Sequence, residues 1–271
     1  MKREKNGKRA WMQELSKYYG VKNGKEVLNQ SRTMEKWRNL HYHGRMQIVD
    51  AMMNIQEGDV LLDLGCGSGS SLARFENKCI TIGIDISDHF CHASKIKSPC
   101  SLIIKGDIEY LPLIDGCIDV CSMVYTFVYT PNKTKVLKEI HRVLKMDGRL
   151  IIFDPNSFGL RNFLRNLQVI KHKISGKNDS PSDINRLLVT TQSLNIFEFE
   201  KMASKVGLKC NSWRGNFDTI PFPVINEGSL SKVTLILFWL WEKLGCKNWG
   251  KYPLLRYFSD FLVIEFVKGD Q

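Results

Sequence analysis

Short runs of β-branched and aliphatic residues recur from residue 60 onward and alternate with segments of helical spacing. This alternation is typical of βαβ units, in which helices cover both faces of a mainly parallel sheet. The middle runs are continuously apolar, as expected of central strands. The sequence therefore predicts an α/β fold with seven strands, at Val60–Leu64, Thr81–Ile84, Leu102–Lys105, Ile118–Met123, Arg149–Phe153, Lys209–Trp213 and Phe261–Val267.

Two segments between these runs have clear helical spacing. Asn132–Lys145 places its apolar residues on one face and is followed by the stop signal Asp147-Gly148. Asn195–Val206 is the second, and Gly207 ends it. Both are expected to pack on the sheet as amphipathic helices.

Three regions do not follow this alternation of strand and helix patterns. Residues 1–50 look helical and precede the first strand, residues 157–193 are polar and basic, and residues 216–258 are rich in aromatic side chains. A chain of 271 residues with 43% hydrophobic residues can bury the core of one sizeable domain. We expect a single α/β domain with two insertions.

The net charge of +11 suits an anionic partner such as nucleic acid, anionic lipid or a phosphorylated metabolite. A lysine-rich surface that only solvates the protein is an equally good interpretation. The eight cysteines form neither a CxxC pair nor zinc-finger spacing, which indicates reduced thiols and a cytoplasmic location. The basic start precedes no apolar signal region, and Val233–Trp241 is about half as long as a membrane span, so neither secretion nor a span is expected.

A glycine-rich turn follows the first predicted strand. Residues 60–69 read VLLDLGCGSG, so that Gly65, Gly67 and Gly69 form a GxGxG turn after Asp63. Glycines let the backbone approach a ligand closely, and a following helix would offer free N–H groups. A carboxylate closes each of the next two strands, Asp85 in GIDIS and Asp107 in GDIE. These carboxylates could accept ribose hydroxyls and an adenine amino group, respectively.

The chain resembles the class I S-adenosylmethionine-dependent methyltransferases, in particular the small-molecule group related to the quinone and sterol methyltransferases. The resemblance runs in register from Val60 to Asn156 through LLDLGCGSG, GIDIS, GDIEYLPL and VLKEIHRVLKMDGRLIIF. It implies a Rossmann-like seven-stranded methyltransferase sheet over residues 51–271, with S-adenosyl-L-methionine as cofactor. It also implies an N-terminal helical lid over residues 1–50 and a substrate cap made of insertions 157–193 and 216–258.

The same resemblance implies which residues hold the cofactor. The glycine turn and Asp63 would surround its methionine part, Asp85 its ribose, and Asp107 with the Ile108 backbone its adenine. No metal is expected, because Asp154 and Asn156 match a metal-dependent pattern only in part. The full set of cofactor contacts is Asp63, Gly65, Cys66, Gly67, Gly69, Asp85, Ile86, Asp107, Ile108 and Tyr125.

A nicotinamide-binding domain is the nearest alternative, but its GxGxxG fingerprint requires glycine where this chain has Ser70. The Asn-Pro-Pro-Tyr motif of adenine and glutamine methyltransferases and the double-glutamate hairpin of arginine methyltransferases are both missing. The sequence therefore favours a small-molecule acceptor over a nucleic acid or a protein side chain.

The catalytic base is the open question. Many relatives place Glu-His after the fourth strand, where this chain has Val128 and Tyr129. Tyrosine is a weak base at neutral pH because its ordinary pKa is about 10. We predict Tyr129, His43 and Asp154 as catalytic residues, with His41 and His141 as alternatives. Catalysis by alignment of the acceptor alone remains open as well.

The predicted function is transfer of a methyl group to O, N or C of a small-molecule, lipid or glycan-type acceptor. Arg161 and Arg165 in the basic insertion, together with the aromatic insertion, favour an amphiphilic acceptor and leave peripheral contact with an anionic membrane open. The alternatives are an RNA-associated methyltransferase and a non-catalytic cofactor-binding subunit. The oligomeric state stays open.

Overall fold

The computed structural model describes residues 45–159, Asn162, 192–216 and 254–269. Helix α1 covers residues 45–53, and 3-10 turns lie at Leu72–Arg74, Phe127–Tyr129 and Leu255–Phe258. The other helices are α2 (Asp88–Lys97), α3 (Lys133–Val143) and α4 (Ile196–Ser204). The strands are β1 (Val60–Leu64), β2 (Ile80–Asp85), β3 (Leu102–Lys105), β4 (Ile118–Val124), β5 (Leu144–Pro155), β6 (Leu208–Asn216) and β7 (Phe261–Lys268).

The seven strands form one sheet in the order β3-β2-β1-β4-β5-β7-β6. Strands β1 to β5 are parallel, whereas β7 runs antiparallel to both β5 and β6. The prediction of a seven-stranded Rossmann-like sheet is confirmed. The chain moves outward from β1 through β2 to β3 and then returns to place β4 on the other side of β1. Ligands bind at such a switch point, beside the carboxyl ends of the strands.

Side-chain alternation along the strands produces two cores, one on each face of the sheet. Leu62 of β1 packs in the core to which α3 and α4 contribute. Leu61, its neighbour, packs with Met46 and Val49 of α1 in the other core. Because successive side chains of a strand point to opposite faces, helices are needed on both sides to bury them.

The predicted helices begin where their capping residues stand. The side chain of Asn132 accepts from the Lys135 amide, and Asn195 forms a capping box with Glu198, so both helix starts were readable. The predicted end of the first helix at Lys145 is two residues too late. Leu144 instead starts β5 by pairing with Ile118 of β4, which competes with a further helical turn.

The predicted boundary between lid and domain at residue 50 falls inside α1. Met46 and Val49 of this helix are 3% and 0% exposed against the sheet, so residues 45–50 pack as part of the domain. Residues 1–44 and most of both insertions, including Arg161 and Arg165, lie outside the described residues. Within the described ranges, the helices are too short or too polar to cross a membrane.

Candidate cofactor and active site

A cavity of about 310 Å³ lies beside the carboxyl ends of β1, β2, β3 and β4. The loop after each of these strands contributes to its wall, as the position of the switch point between β1 and β4 requires. Eight predicted site residues line it: Gly65, Gly67, Asp85, Ile86, Asp107, Ile108, Tyr125 and Tyr129.

The glycine turn forms one wall. Gly65, Gly67 and Gly69 all have positive φ, at 70°, 54° and 75°, a region that side chains with Cβ disfavour. A Cβ on Gly65 would lie 2.4 Å from Oγ1 of Thr126, and one on Gly69 would lie 2.5 Å from Oγ of Ser94. A Cβ on Gly67 would meet no atom within 4 Å. Gly65 and Gly69 are therefore needed for packing, whereas Gly67 borders open space in the cavity.

Asp85 ties the end of β2 to this turn. The Gly67 amide donates to its Oδ2 at 3.0 Å, and the Ser87 amide donates to its Oδ1 at 2.9 Å. Asp85 is 8% exposed, and burial raises the pKa of its carboxyl while the bonds from the Ser87 and Gly67 amides oppose that rise. A carboxylate has about four acceptor positions, and these amides do not fill them all. The carboxylate can thus accept further hydrogen bonding from a ligand in the cavity.

The segment after β3 supplies another part of the wall. The Gly106 amide donates to the Asp85 carbonyl at 2.9 Å, and the Glu109 amide donates to Oδ1 of Asp107 at 3.0 Å. Ile108 lines the cavity, as does Ile86, which is 44% exposed. Two aliphatic side chains that border the same space suit a flat, apolar ring between them.

Tyr125, which follows β4, has a backbone conformation that is rare for a bulky residue. Its φ is 55°, and its amide donates to the Phe153 carbonyl at 2.8 Å. The ring packs edge-to-face on Phe153 and Phe261 at 4.9 and 5.4 Å, while the Arg45 guanidinium donates to its hydroxyl. Such a conformation persists only where packing imposes it, and it is enriched at ligand sites.

The turn Phe127–Tyr129 closes the cavity next to Tyr125. Phe127 and Val128 are 0% and 2% exposed and face the core, whereas Tyr129 lines the cavity. The Tyr129 amide donates to the Thr126 carbonyl at 3.0 Å. Tyr129, the predicted catalytic tyrosine, therefore shares one wall with Thr126 and Thr130.

Four predicted site residues do not line the cavity. Asp63 faces β4, where Ser122 Oγ donates to its Oδ1 at 2.7 Å. Cys66 turns its thiol toward Ser94, and Gly69 packs there too. Asp154 is 2% exposed. His43 and His41 lie outside the described residues.

Two side chains, one buried and one half-buried, have shifted pKa values. Burial raises the pKa of Asp63 to about 7, although the Ser122 hydrogen bond and the Arg74 charge act in the opposite direction. His141, one of the alternative catalytic residues, has a buried Nε2, and a Cβ on Gly207 would lie 2.9 Å from that atom. Burial lowers the pKa of His141. His141 does not border the cavity.

Sequence reasoning missed about half of the cavity wall. The missed residues follow the carboxyl ends of β2, β3 and β4, so their signal was their position directly after a predicted strand. They are Ser87, Phe90, Gly106, Glu109, Val124, Thr126, Thr130 and Pro131.

The cavity fits the cofactor that the resemblance implies. The open space at Gly67 is where a backbone can approach a ligand without hindrance. Asp85 and Asp107 offer carboxylates for hydroxyl and amino groups, and Ile86 and Ile108 offer apolar surface for a purine. Among the described residues no three His, Cys, Asp or Glu side chains gather as they would around a metal ion.

Comparisons with known proteins point the same way. Residues 62–152 match a family model described as a methyltransferase domain. Over 128 residues, 44% of this chain, it is 31% identical to sterol 4-C-methyltransferase strm-1 of Caenorhabditis elegans. It is also 31% identical over 116 residues, 40% of the chain, to demethylmenaquinone methyltransferase of Staphylococcus epidermidis. The matches span 36% and 48% of these relatives, which is less than half of each.

Among solved structures, the fold is similar to geranyl diphosphate C-methyltransferase of Streptomyces coelicolor, solved with Mg²⁺, geranyl diphosphate and S-adenosyl-L-homocysteine. The TM-score is 0.55 at 15% identity, over 83% of this chain and 77% of that one. At this identity the likeness concerns the fold. Sheet order, glycine turn and the match of residues 62–152 to a methyltransferase domain together support the resemblance to the class I S-adenosylmethionine-dependent methyltransferases.

Proposed function

We propose that this protein is a catalytic methyltransferase that uses S-adenosylmethionine to methylate a small-molecule or lipid acceptor. The observation that carries the proposal is the cavity at the switch point, where Gly67 borders open space and Asp85 offers its carboxylate. A non-catalytic cofactor-binding subunit would not need the additional wall that Tyr125 and Tyr129 form beside these groups.

In this proposal, chemically different side chains along the cavity hold the ribose and the adenine of the cofactor. Asp85 accepts from the two ribose hydroxyls, since the backbone amides leave part of its acceptor capacity free. Asp107 accepts from the adenine amino group, and Ile86 and Ile108 enclose the ring. Asp63, which lies behind the turn, supports the wall through Ser122.

The chain's own residues then have to align the acceptor. When bound, S-adenosylmethionine supplies an electrophilic methyl group on a sulfonium sulfur. Tyr125 and Tyr129 would border the acceptor, exclude water and orient its nucleophilic atom by hydrogen bonding. Correct alignment can by itself lower a barrier by several kcal/mol, on the order of 7–11. Whether O, N or C is methylated depends on the acceptor that this wall admits.

The proposed acceptor is apolar over much of its surface. Phe90, Val124 and Pro131 line the cavity beside the two isoleucines. The relatives named for a sterol and for demethylmenaquinone, and the structure holding geranyl diphosphate, suggest acceptors with long hydrocarbon parts. We propose a cytoplasmic enzyme, which the free thiols of the described cysteines support. Peripheral membrane contact is a further proposal that rests on the insertions.

Gly67 provides a direct test of the cofactor site. Gly116 is its matched control, because it too has positive φ, at 62°, and would place a Cβ within 4 Å of no atom. Both alanine variants bear a similar backbone strain, roughly 1 kcal/mol. We expect Gly67→Ala to weaken S-adenosylhomocysteine binding at least tenfold in calorimetry and Gly116→Ala to leave it unchanged. Equal affinities in the two folded variants would place the cofactor elsewhere.

Activity is tested by transfer of an isotope-labelled methyl group. The acceptor panel should contain a demethylated quinone, a sterol, an isoprenoid diphosphate and a malonyl thioester. Incorporation that the Asp85→Ala variant lacks would support the proposal. Binding of the cofactor with no incorporation into any acceptor, including a whole-cell lipid extract, would favour the non-catalytic alternative.

A further inference from the structure

Two buried ionisable side chains that line no part of the cavity lie beside the turn that bears Tyr129. Lys133 is 9% exposed and Asp154 is 2% exposed. A charged group taken out of water is strongly disfavoured unless it has partners. The contacts of these two residues therefore indicate what they do.

Lys133 holds the end of the turn. Its Nζ donates to the Thr130 carbonyl at 3.1 Å and to Oε1 of Gln192 at 3.1 Å. It also lies 5.8 Å from the centre of the Phe127 ring. Phe127 lies in the turn, Thr130 follows it directly, and Gln192 precedes α4. Lys133 therefore connects the turn to the segment before α4.

Asp154 approaches the same turn from the end of β5, where the carbonyl of the neighbouring Phe153 accepts from the Tyr125 amide at 2.8 Å. Burial raises the pKa of its carboxyl. Hydrogen bonding by the Val128 amide and the charge of Lys133 both oppose that rise. Within the described residues its Oδ1 has no hydrogen-bond partner. The carboxyl is thus buried near the turn and is exposed neither to the cavity nor to solvent.

The position of Lys133 in its helix is unfavourable for a positive charge, so this lysine lowers the stability of the folded chain. It is the first residue of α3, where the helix dipole disfavours a cation. Burial lowers the pKa of Lys133, although the Asp154 charge opposes this. An apolar side chain at this position would be buried at a lower cost in stability than the lysine.

We propose that Lys133 and Asp154 form a clamp that positions Tyr129 in the cavity wall. Lys133 bonds the Thr130 carbonyl, and the buried Asp154 carboxyl lies near the turn on its other side, so together they limit how the backbone around Tyr129 can move. Both are positioning residues, because neither lines the cavity. This gives Asp154 a role other than the catalytic one expected from the sequence. The effect on cofactor binding rests on the proposed function, whereas the effect on the turn does not.

The test combines two measurements on the full chain. Hydrogen exchange of the peptide covering residues 126–131 reports the turn, and calorimetry with S-adenosylhomocysteine reports the cavity. The variants are Lys133→Met, Asp154→Asn and their combination. Lys133→Arg serves as the conservative variant, and Lys138→Met removes the same charge from an exposed position of the same helix.

We expect Lys133→Met and Asp154→Asn each to speed exchange in this peptide and to weaken binding about five- to tenfold, the loss of roughly one hydrogen bond. The double variant should be weaker than wild type by less than the product of the two single effects. Lys133→Arg should restore most of the affinity and Lys138→Met should match wild type. Thermal unfolding checks that each variant is folded.

Faster exchange without any binding by the wild type would support the clamp and overturn the cofactor proposal. Normal wild-type binding, together with unchanged exchange and affinity in the folded variants, would overturn the clamp. Equal losses in Lys133→Met and Lys138→Met would also overturn it, because the effect would then follow the charge of the helix.

Discussion

At the scale of single residues, Asp85 gives the sharpest prediction about the cofactor. Asp85→Ala removes an acceptor for two ribose hydroxyls, and charged hydrogen bonds contribute about 1.5–3 kcal/mol each. We expect S-adenosylhomocysteine affinity to fall at least about a hundredfold in calorimetry. Asp88→Ala is the control, since it removes the same charge three residues later from an exposed site paired with Lys105.

The structure adds one consequence for this variant. Asp85 also accepts from the Gly67 and Ser87 amides, so Asp85→Ala should lower the unfolding temperature more than Asp88→Ala does. A folded Asp85→Ala protein with wild-type affinity would remove Asp85 from the site.

Asp63 gives a prediction about stability and pH. Burial raises its pKa to about 7 from 3.8, so between these values the folded chain binds more protons than the unfolded chain. The contribution of Asp63 to the free energy of unfolding therefore falls as pH rises, by about 1.4 kcal/mol per pH unit at most. Asp63→Asn should keep the bond from Ser122 and lose this dependence.

Urea unfolding between pH 4.5 and 8 measures the difference. The stability of Asp63→Asn relative to wild type should increase up to a pH of about 7 and then stay constant. Asp88→Asn, at an exposed position, should give a curve parallel to wild type. A parallel curve for Asp63→Asn would show that Asp63 titrates in its ordinary range.

At the scale of elements, strands were predicted better than side-chain directions. Hydrophobic runs and glycine stops follow directly from local chemistry, and so the seven strands were found within a few residues. Asp63 and Cys66 were assigned to the cofactor by resemblance, yet the sheet turns them toward Ser122 and Ser94. Which side of a turn a residue faces depends on register with neighbouring strands, which a sequence pattern does not contain.

The segment after β3 is held in place from α3. The Arg142 guanidinium donates to the carbonyls of Leu111 and Leu113 at 3.0 and 2.7 Å, and it pairs with Asp115 and Glu139. Since Asp107 and Ile108 lie in the same segment, we expect Arg142→Met to lower stability by about 1–3 kcal/mol. Binding of S-adenosylhomocysteine should weaken several-fold as well.

Lys145→Met is the matched control for Arg142→Met. It breaks an exposed ion pair with Asp119, and such pairs contribute about 1 kcal/mol or less. Denaturant unfolding and calorimetry on both variants decide the question. Equal stability losses, or an unchanged affinity in Arg142→Met, would contradict the proposed coupling between Arg142 and the cavity.

At the scale of the whole molecule, the fold explains why residues far apart in sequence meet at one cavity. Parallel strands end at the same edge, and the reversal of strand order between β1 and β4 opens a gap there. Asp85 ends β2, and Gly67, Asp107 and Tyr125 follow three other strands, so that all four line the cavity in this gap. The sequence predicted this convergence from the order of strands and motifs. It could not predict the acceptor, because the sequence pattern of the two insertions does not show which of their side chains would meet it.

The net charge of +11 leads to the last prediction, which concerns membranes. A basic protein acting on an amphiphilic acceptor should bind anionic vesicles, with roughly 1 kcal/mol for each Lys or Arg near the surface, and salt should release it. If the basic insertion forms the contact, the double variant Arg161→Ala/Arg165→Ala should reduce vesicle flotation more than a control double variant. The control is Lys138→Ala/Lys201→Ala, which has the same net charge and changes two exposed residues of α3 and α4. Equal reductions would mean that net charge alone drives binding. No flotation at low salt would contradict membrane contact and favour a water-soluble acceptor.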